Sequence, residues 1–254
     1  MTYGVSQEVE LRGKWRLEYG YDWKHASDGN PLFANPPLIS KLGKTNLVLL
    51  RDTRDNILDA RTGSFITLSI DCAPPFLDAE RAPDFLASDF RFVKGLAQVA
   101  LARPLGPSVT WAQSYRLGLG WGFDGQQLRR AERFRAGGGS TIRGYATEEI
   151  GPFSPLLKQF TYGEAVAILN QELRFRHRTG LGAAVFYDGG NVFAKVEDLS
   201  FDWRHALGVG LRWESPVGLL RMDVGFPLSR LVIPDDPPRR EGAYHFFFSL
   251  GQAF

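Results

Sequence analysis

The chain has 254 residues, enough for one large β domain or two small ones. Its 30 Lys and Arg against 28 Asp and Glu leave a net charge of +2, which offers no electrostatic case for a nucleic-acid partner. A single cysteine, Cys72, excludes an internal disulfide and a cysteine-rich metal site.

The first residues, MTYGVSQEVELRGKW, lack the basic start and apolar centre of a signal peptide. No apolar run reaches the roughly 20 residues of a membrane-spanning helix. Period two runs through the chain instead, in segments of about ten residues. In chain order these predict strands over 13–24, 44–52, 63–73, 88–103, 108–121, 162–177, 180–188, 203–214, 216–228 and 243–254, with a partial strand at 3–10. The connections alternate in length. Residues 25–43, 74–87, 122–161, 189–202 and 229–242 are long and rich in Pro, Asp and Gly, whereas RDNILDARTG, RPLGP, HRTG and ESPVG are tight turns. Long loops on one side and short turns on the other are the asymmetry of outer-membrane barrels.

The faces of the predicted strands point the same way. In VTWAQSYRLGLGW, Val109, Trp111, Gln113, Tyr115, Leu117, Leu119 and Trp121 alternate with Thr110, Ala112, Ser114, Arg116, Gly118 and Gly120. In HALGVGLRW, Leu207, Val209, Leu211 and Trp213 alternate with Ala206, Gly208, Gly210 and Arg212, and LLRMDVGF sets Leu220, Met222, Val224 and Phe226 against Arg221, Asp223 and Gly225. Glycine and charge share one face, as in a wet lumen, and aromatic residues bound the other, as at the two interfaces of a bilayer. A soluble β-sandwich with its apolar face inward has the same alternation and stays open as the second reading. The expected fold is all-β, an antiparallel transmembrane β-barrel of which about 10–11 strands of a larger barrel are present. The alternative is a small barrel that closes with ten strands.

The last residues, AYHFFFSLGQAF, place Tyr244, Phe246, Phe248, Leu250 and Phe254 on one face, with Gly251 beside them and Gln252 interrupting the apolar series. Such a terminal strand is the type of signal read when outer-membrane barrels are inserted. The longest connection contains GGGSTIRGYATEEIGP, residues 137–152. GGGSTIRGY resembles the sixth-external-loop motif of the BamA/TamA superfamily of outer-membrane insertases and translocation pores, the bacterial surface antigen type of barrel. NQELRF, FYDGGNVF, GVGLRWESPVG and the terminal LGQAF follow in that family's order, and RDTRDNILDARTG resembles its Asp-x-Arg-Asp turn, so the resemblance covers about residues 45–254. It leans towards TamA-like members without separating them from BamA.

The resemblance implies a long external loop that folds back into the barrel, with Arg143 meeting Glu172 and Asp188 on the inner wall. Gly144, Tyr145 and Gly190 complete the motif residues. Period two independently places Glu172 with Asn170 and Arg174, and Asp188 opposite Tyr187 and Val185, so both acids face the lumen. A planar guanidinium suits two carboxylates. The other reading is a solvated loop arginine above an acid-lined pore.

Residues 1–254 are accordingly expected to be a C-terminal transmembrane barrel region, without periplasmic POTRA repeats and part of a longer protein, integral to the outer membrane of a Gram-negative-type cell. The implied work is non-enzymatic assembly, insertion or translocation of outer-membrane proteins, with a porin-like passive diffusion channel as the alternative. Implied partners are outer-membrane lipids, unfolded outer-membrane clients, and a periplasm-spanning or lipoprotein partner reached through N-terminal repeats. Neither a cofactor nor a metal is expected. A barrel-bound lipase would need the Gly-x-Ser-x-Gly elbow, which is absent, and a phosphate-binding loop would need Gly-Lys-Ser/Thr after its glycines. His25, His177, His205 and His245 have no metal-ligand spacing and lie near strand ends.

Overall fold

The computed structural model describes residues 2–28, 38–74, 91–156, 158–216, 218–233 and 239–251. Eleven strands form one sheet, hydrogen-bonded in chain order. They are β1 (Thr2–Glu10), β2 (Trp15–Asp28), β3 (Leu38–Asp52), β4 (Gly63–Ala73), β5 (Phe92–Pro104), β6 (Val109–Gly122), β7 (Ala165–Arg176), β8 (Leu181–Phe193), β9 (Arg204–Ser215), β10 (Gly218–Pro227) and β11 (His245–Leu250). Every pairing from β7 to β11 is antiparallel, as are β1 with β2 and β2 with β3. β1 and β11 stand at the two ends of the order. No helix among the described residues is long and apolar enough to cross a membrane, a statement that says nothing of strands.

Several boundaries differ from the sequence expectation. The partial strand at 3–10 is a full nine-residue strand, and β2 begins only after a 3₁₀ turn at Arg12–Lys14. β3 begins at Leu38 rather than 44, so much of the predicted loop 25–43 is ladder. β8 continues past 188 to Phe193, because Gly189, Gly190 and Asn191 stay in register with Leu169, Ile168 and Ala167. Glycine-rich sequence reads as a break, but neighbouring strands supply the backbone partners that keep it extended.

The chain divides into two compact units. One comprises Met1–Arg51, Thr67–Leu96 and Leu119–Glu132; the other comprises Asp52–Ile66, Ala97–Gly118 and Arg133–Phe254. The first unit contains a small apolar cluster of Leu42, Ala73, Phe92 and Leu128. Beside it, Lys44 Nζ lies 2.9 Å from Asp71 and 3.5 Å from Glu132, and Lys94 Nζ lies 3.4 Å from the same Glu132 oxygen.

The second unit is inverted relative to a water-soluble domain. Along β9, residues 206, 208, 210 and 212 are buried while 207, 209, 211 and 213 are exposed. Register aligns the outward side chains in rows: Val185, Val209, Val224 and Phe246 in one, Ala183, Leu211, Met222 and Phe248 in the next, then Leu181, Trp213, Leu220 and Leu250. Leu211 is 59% exposed, whereas Asp223 opposite Gly210 is fully buried. Contiguous apolar rows outside buried charge cannot be a solvated surface, and they match a lipid-facing band. The soluble sandwich is thereby excluded.

Candidate functional site

The inner face of the second unit is where charge collects. Period two turns Asn170, Glu172 and Arg174 of β7 inward, together with Asp188 of β8, Arg212 of β9, and Arg221 and Asp223 of β10, and all are buried. Register then sets Asn170 opposite Asp188 and Arg212 opposite Arg221.

The loop between β6 and β7 delivers Arg143 into this cluster. The guanidinium grips Asp188 side-on, Nε donating to Oδ2 at 2.8 Å and Nη2 to Oδ1 at 2.9 Å. The Arg143 backbone N–H donates to the same Oδ2 at 3.0 Å. Nη1 donates to Glu172 Oε2 at 2.5 Å and reaches Asp223 Oδ2 at 3.3 Å. The Phe186 ring lies against the guanidinium plane, 3.5 Å from Cζ to the ring centroid. Arg143 is 1% exposed. A charge so far from water is tolerable only when paired and hydrogen-bonded on most of its donors.

The carboxylates are shared with the wall. Glu172 Oε1 accepts from Arg174 Nε at 2.9 Å and from Arg212 Nη2 at 3.0 Å, and Asp223 Oδ1 accepts from Arg212 Nη1 at 2.6 Å. Asn170 Nδ2 donates to Asp188 Oδ1 at 2.8 Å and to the Thr141 carbonyl at 2.6 Å, tying the acid to the loop backbone. Tyr145 places its hydroxyl 3.1 Å from the His205 carbonyl and 3.0 Å from that of Ser229. Of the three consecutive glycines, Gly137 and Gly138 take positive φ, 105° and 98°, which makes the sharp approach to the tip.

Glycines on the wall cut the space the tip occupies. A Cβ on Gly225 would lie 1.9 Å from the Arg143 carbonyl oxygen, and one on Gly144 would lie 2.3 Å from Ala206 Cβ. A Cβ on Gly208 would meet the Phe186 ring at 2.1 Å. Glycine and charge thus share a face: the loop backbone lies on Gly225, the Phe186 ring on Gly208, and the loop arginine enters the charges.

The sequence reading placed Arg143, Glu172 and Asp188 in one site, and the structure brings these three together. It did not reach Asp223 or Phe186 as partners of Arg143, nor Arg212 as a second cation on Glu172 and Asp223. Alternation marks them as inward, but only the register between strands shows that they converge. Gly190 does not touch the arginine; it lies on β8, where a Cβ would fall 2.2 Å from the Ala167 carbonyl oxygen. Tyr244 is exposed, Phe246, Phe248 and Leu250 form the outward face of β11, and Gly251 follows with φ 79°; Phe254 and Gln252 lie outside the described residues. His205 bonds the Tyr187 hydroxyl at 2.7 Å, and His245 stacks on Phe247. His177 Nδ1 lies 3.0 Å from Thr179 Oγ1, and the His25 side chain lies outside the described residues. Among the described residues no group of three or more His, Cys, Asp or Glu could hold a metal ion.

An inverted antiparallel sheet with an external loop pinned to its inner wall defines an integral outer-membrane β-barrel protein. The Omp85 superfamily domain matches residues 1–254, and the chain belongs to that superfamily. Among curated proteins, it is 34% identical over 130 residues to the outer membrane protein assembly factor BamA of Nitratidesulfovibrio vulgaris, covering 48% of this chain and 15% of that one. It is 30% identical over 164 residues to a SAM50-like protein of Schizosaccharomyces pombe, covering 60% of this chain and 32% of that one. The chain thus spans less than a third of the length of either relative. Among solved structures, Haemophilus ducreyi BamA lacking POTRA domains 1–3 superposes with a TM-score of 0.71 at 17% identity, over 98% of this chain and 54% of that one. CdiB from Escherichia coli gives 0.61 at 17% identity, over 97% and 44%.

Proposed function

We propose that this chain is the barrel-wall part of an outer-membrane assembly protein that inserts or translocates other outer-membrane proteins by non-covalent, non-enzymatic means. The observation that carries this reading is the edge of β11 in a lipid-facing sheet whose loop is docked on its inner wall. β11 pairs with β10 on one edge, and its other edge has no neighbour among the described residues. An unpaired edge of an otherwise lipid-embedded sheet is a template on which a client strand can add its own backbone hydrogen bonds. In this reading the apolar rows contact outer-membrane lipid and the clients are unfolded outer-membrane proteins. A periplasm-spanning or lipoprotein partner is reached through further N-terminal repeats of the whole protein. Arg143, docked on Glu172 and Asp188, acts with the neighbouring Gly144 and Tyr145 as the latch that holds the loop inside while a client pairs. Tyr244, Phe246, Phe248, Leu250, Gly251 and Phe254 serve as the insertion signal of the chain itself.

The test uses the full-length protein in liposomes, with a cysteine at Phe248 and another in the terminal strand of an unfolded client. A bifunctional thiol reagent should cross-link the two while insertion proceeds. Solute flux through the liposomes with no cross-link and no client insertion would overturn the proposal in favour of a passive diffusion channel.

A further inference from the structure

Four arginines, Arg143, Arg174, Arg212 and Arg221, share three carboxylates, those of Glu172, Asp188 and Asp223. The shortage falls on one oxygen. Arg143 Nη1 and Arg221 Nε each lie 3.3 Å from Asp223 Oδ2, whereas Arg212 takes Oδ1 for itself at 2.6 Å. Arg221 is buried and its Nη1 has no acceptor among the described residues. Its remaining donors go elsewhere: Nε to Ser249 Oγ at 2.9 Å, and Nη2 to the Gly139 carbonyl at 2.9 Å. Ser249 lies on β11, the last strand, and Gly139 on the loop. The same two elements meet again where a Cβ on Gly139 would sit 3.3 Å from Phe247.

We infer that Arg221 is a positioning residue that couples the latch to the terminal strand, through competition with Arg143 for Asp223 Oδ2. While Arg143 is docked, Asp223 Oδ2 is divided between two cations and Arg221 keeps its hold on Ser249 and Gly139. When the latch leaves, the whole of Oδ2 falls to Arg221. A guanidinium drawn towards a fully available buried carboxylate gives up two neutral acceptors for a charged one, and charge-assisted bonds are the stronger. The inward face of β11 then loses its side-chain tie to the wall. Coupling of this kind is reciprocal: loosening β11 must weaken the latch by the same factor. The inference rests on the latch reading above and adds which strand the latch controls.

The experiment follows amide hydrogen exchange of residues 245–250 and protease access to residues 137–152, in the full-length protein in lipid nanodiscs. Arg143→Ala should raise exchange at 245–250 by about tenfold, within the usual range of site-to-site coupling. In an Arg221→Gln background, where β11 is already untied, Arg143→Ala should add nothing further. Ser249→Ala, which removes only a hydroxyl and leaves the charges in place, should open the loop to protease. An equal rise in exchange with and without Arg221 would overturn the coupling while leaving the latch intact, as would wild-type protease access in Ser249→Ala. Wild-type protease access in Arg143→Ala would instead overturn the latch itself, and the coupling with it.

Discussion

One loop is held at two places in opposite ways. Its first part carries a negative charge and an apolar residue: Glu132 lies between Lys44 and Lys94, and Leu128 is buried among Leu42, Ala73 and Phe92. Its tip carries a positive charge into carboxylates, with Arg143 forked on Asp188. At the first part the ammonium contacts are 3.4 and 3.5 Å, and Leu128 beside them is buried. At the tip the contacts to Asp188 are 2.8 and 2.9 Å, and the planar guanidinium fixes direction as well as position. The first part is therefore specified by what it buries, and the tip by how its donors are aimed.

Breaking the tip should have the largest effect. Arg143→Ala leaves Glu172, Asp188 and Asp223 buried without their shared cation, which should cost about 3–5 kcal/mol. A lowered urea midpoint of the lipid-inserted protein, with new cleavage within 137–152, measures it. Leu128→Ala comes next, at about 2 kcal/mol or more for a buried leucine. It should open residues 123–132 to protease while the tip stays protected, which separates the two holds. Glu132→Gln should cost less, about 1.5 kcal/mol, since the amide oxygen can still accept from a lysine and Lys44 keeps Asp71 as a partner.

The turn between β3 and β4 supplies a control of a different kind, a carboxylate held by backbone N–H groups alone. Burial pushes the Asp55 carboxyl up, but backbone N–H donors from Thr62, Arg61, Asp55 and Asn56 outweigh it and hold the group below its ordinary value of 3.8. A depressed value contributes stability that is complete above 3.8 and is lost as pH falls through the lower folded value. Cleavage at residues 54–63 should therefore be flat between about pH 5 and 8 and rise only in stronger acid. Asp55→Asn should remove that acid step and leave the loop unchanged.

Much of this was legible in the sequence, for physical reasons that vary by element. Alternation in 204–215 and 218–227 fixed which side chains face inward, because period two is a property of the strand itself. The loop arginine and two of its acids were legible through the motif. Asp223 was legible as inward but not as a partner, since Arg143 reaches it only through the register of β9 on β10. Glu132 and Leu128 left no signal: they fall within the predicted connection 122–161, and their anchors lie on β3, β4 and β5, far away in sequence. The glycines of the wall were visible as composition, but their purpose appears only when the loop backbone lies against them.

The central claim, that Arg143 latches the loop for the protein's assembly function, is tested most directly by comparing Arg143→Ala with Arg143→Lys in the full-length protein. Client insertion and protease access to 137–152 should be read on the same preparations. The account predicts that Ala impairs insertion and exposes the loop, and that Lys restores both only in part, since an ammonium keeps the charge but not the fork. Normal insertion and a protected loop in Arg143→Ala would contradict it.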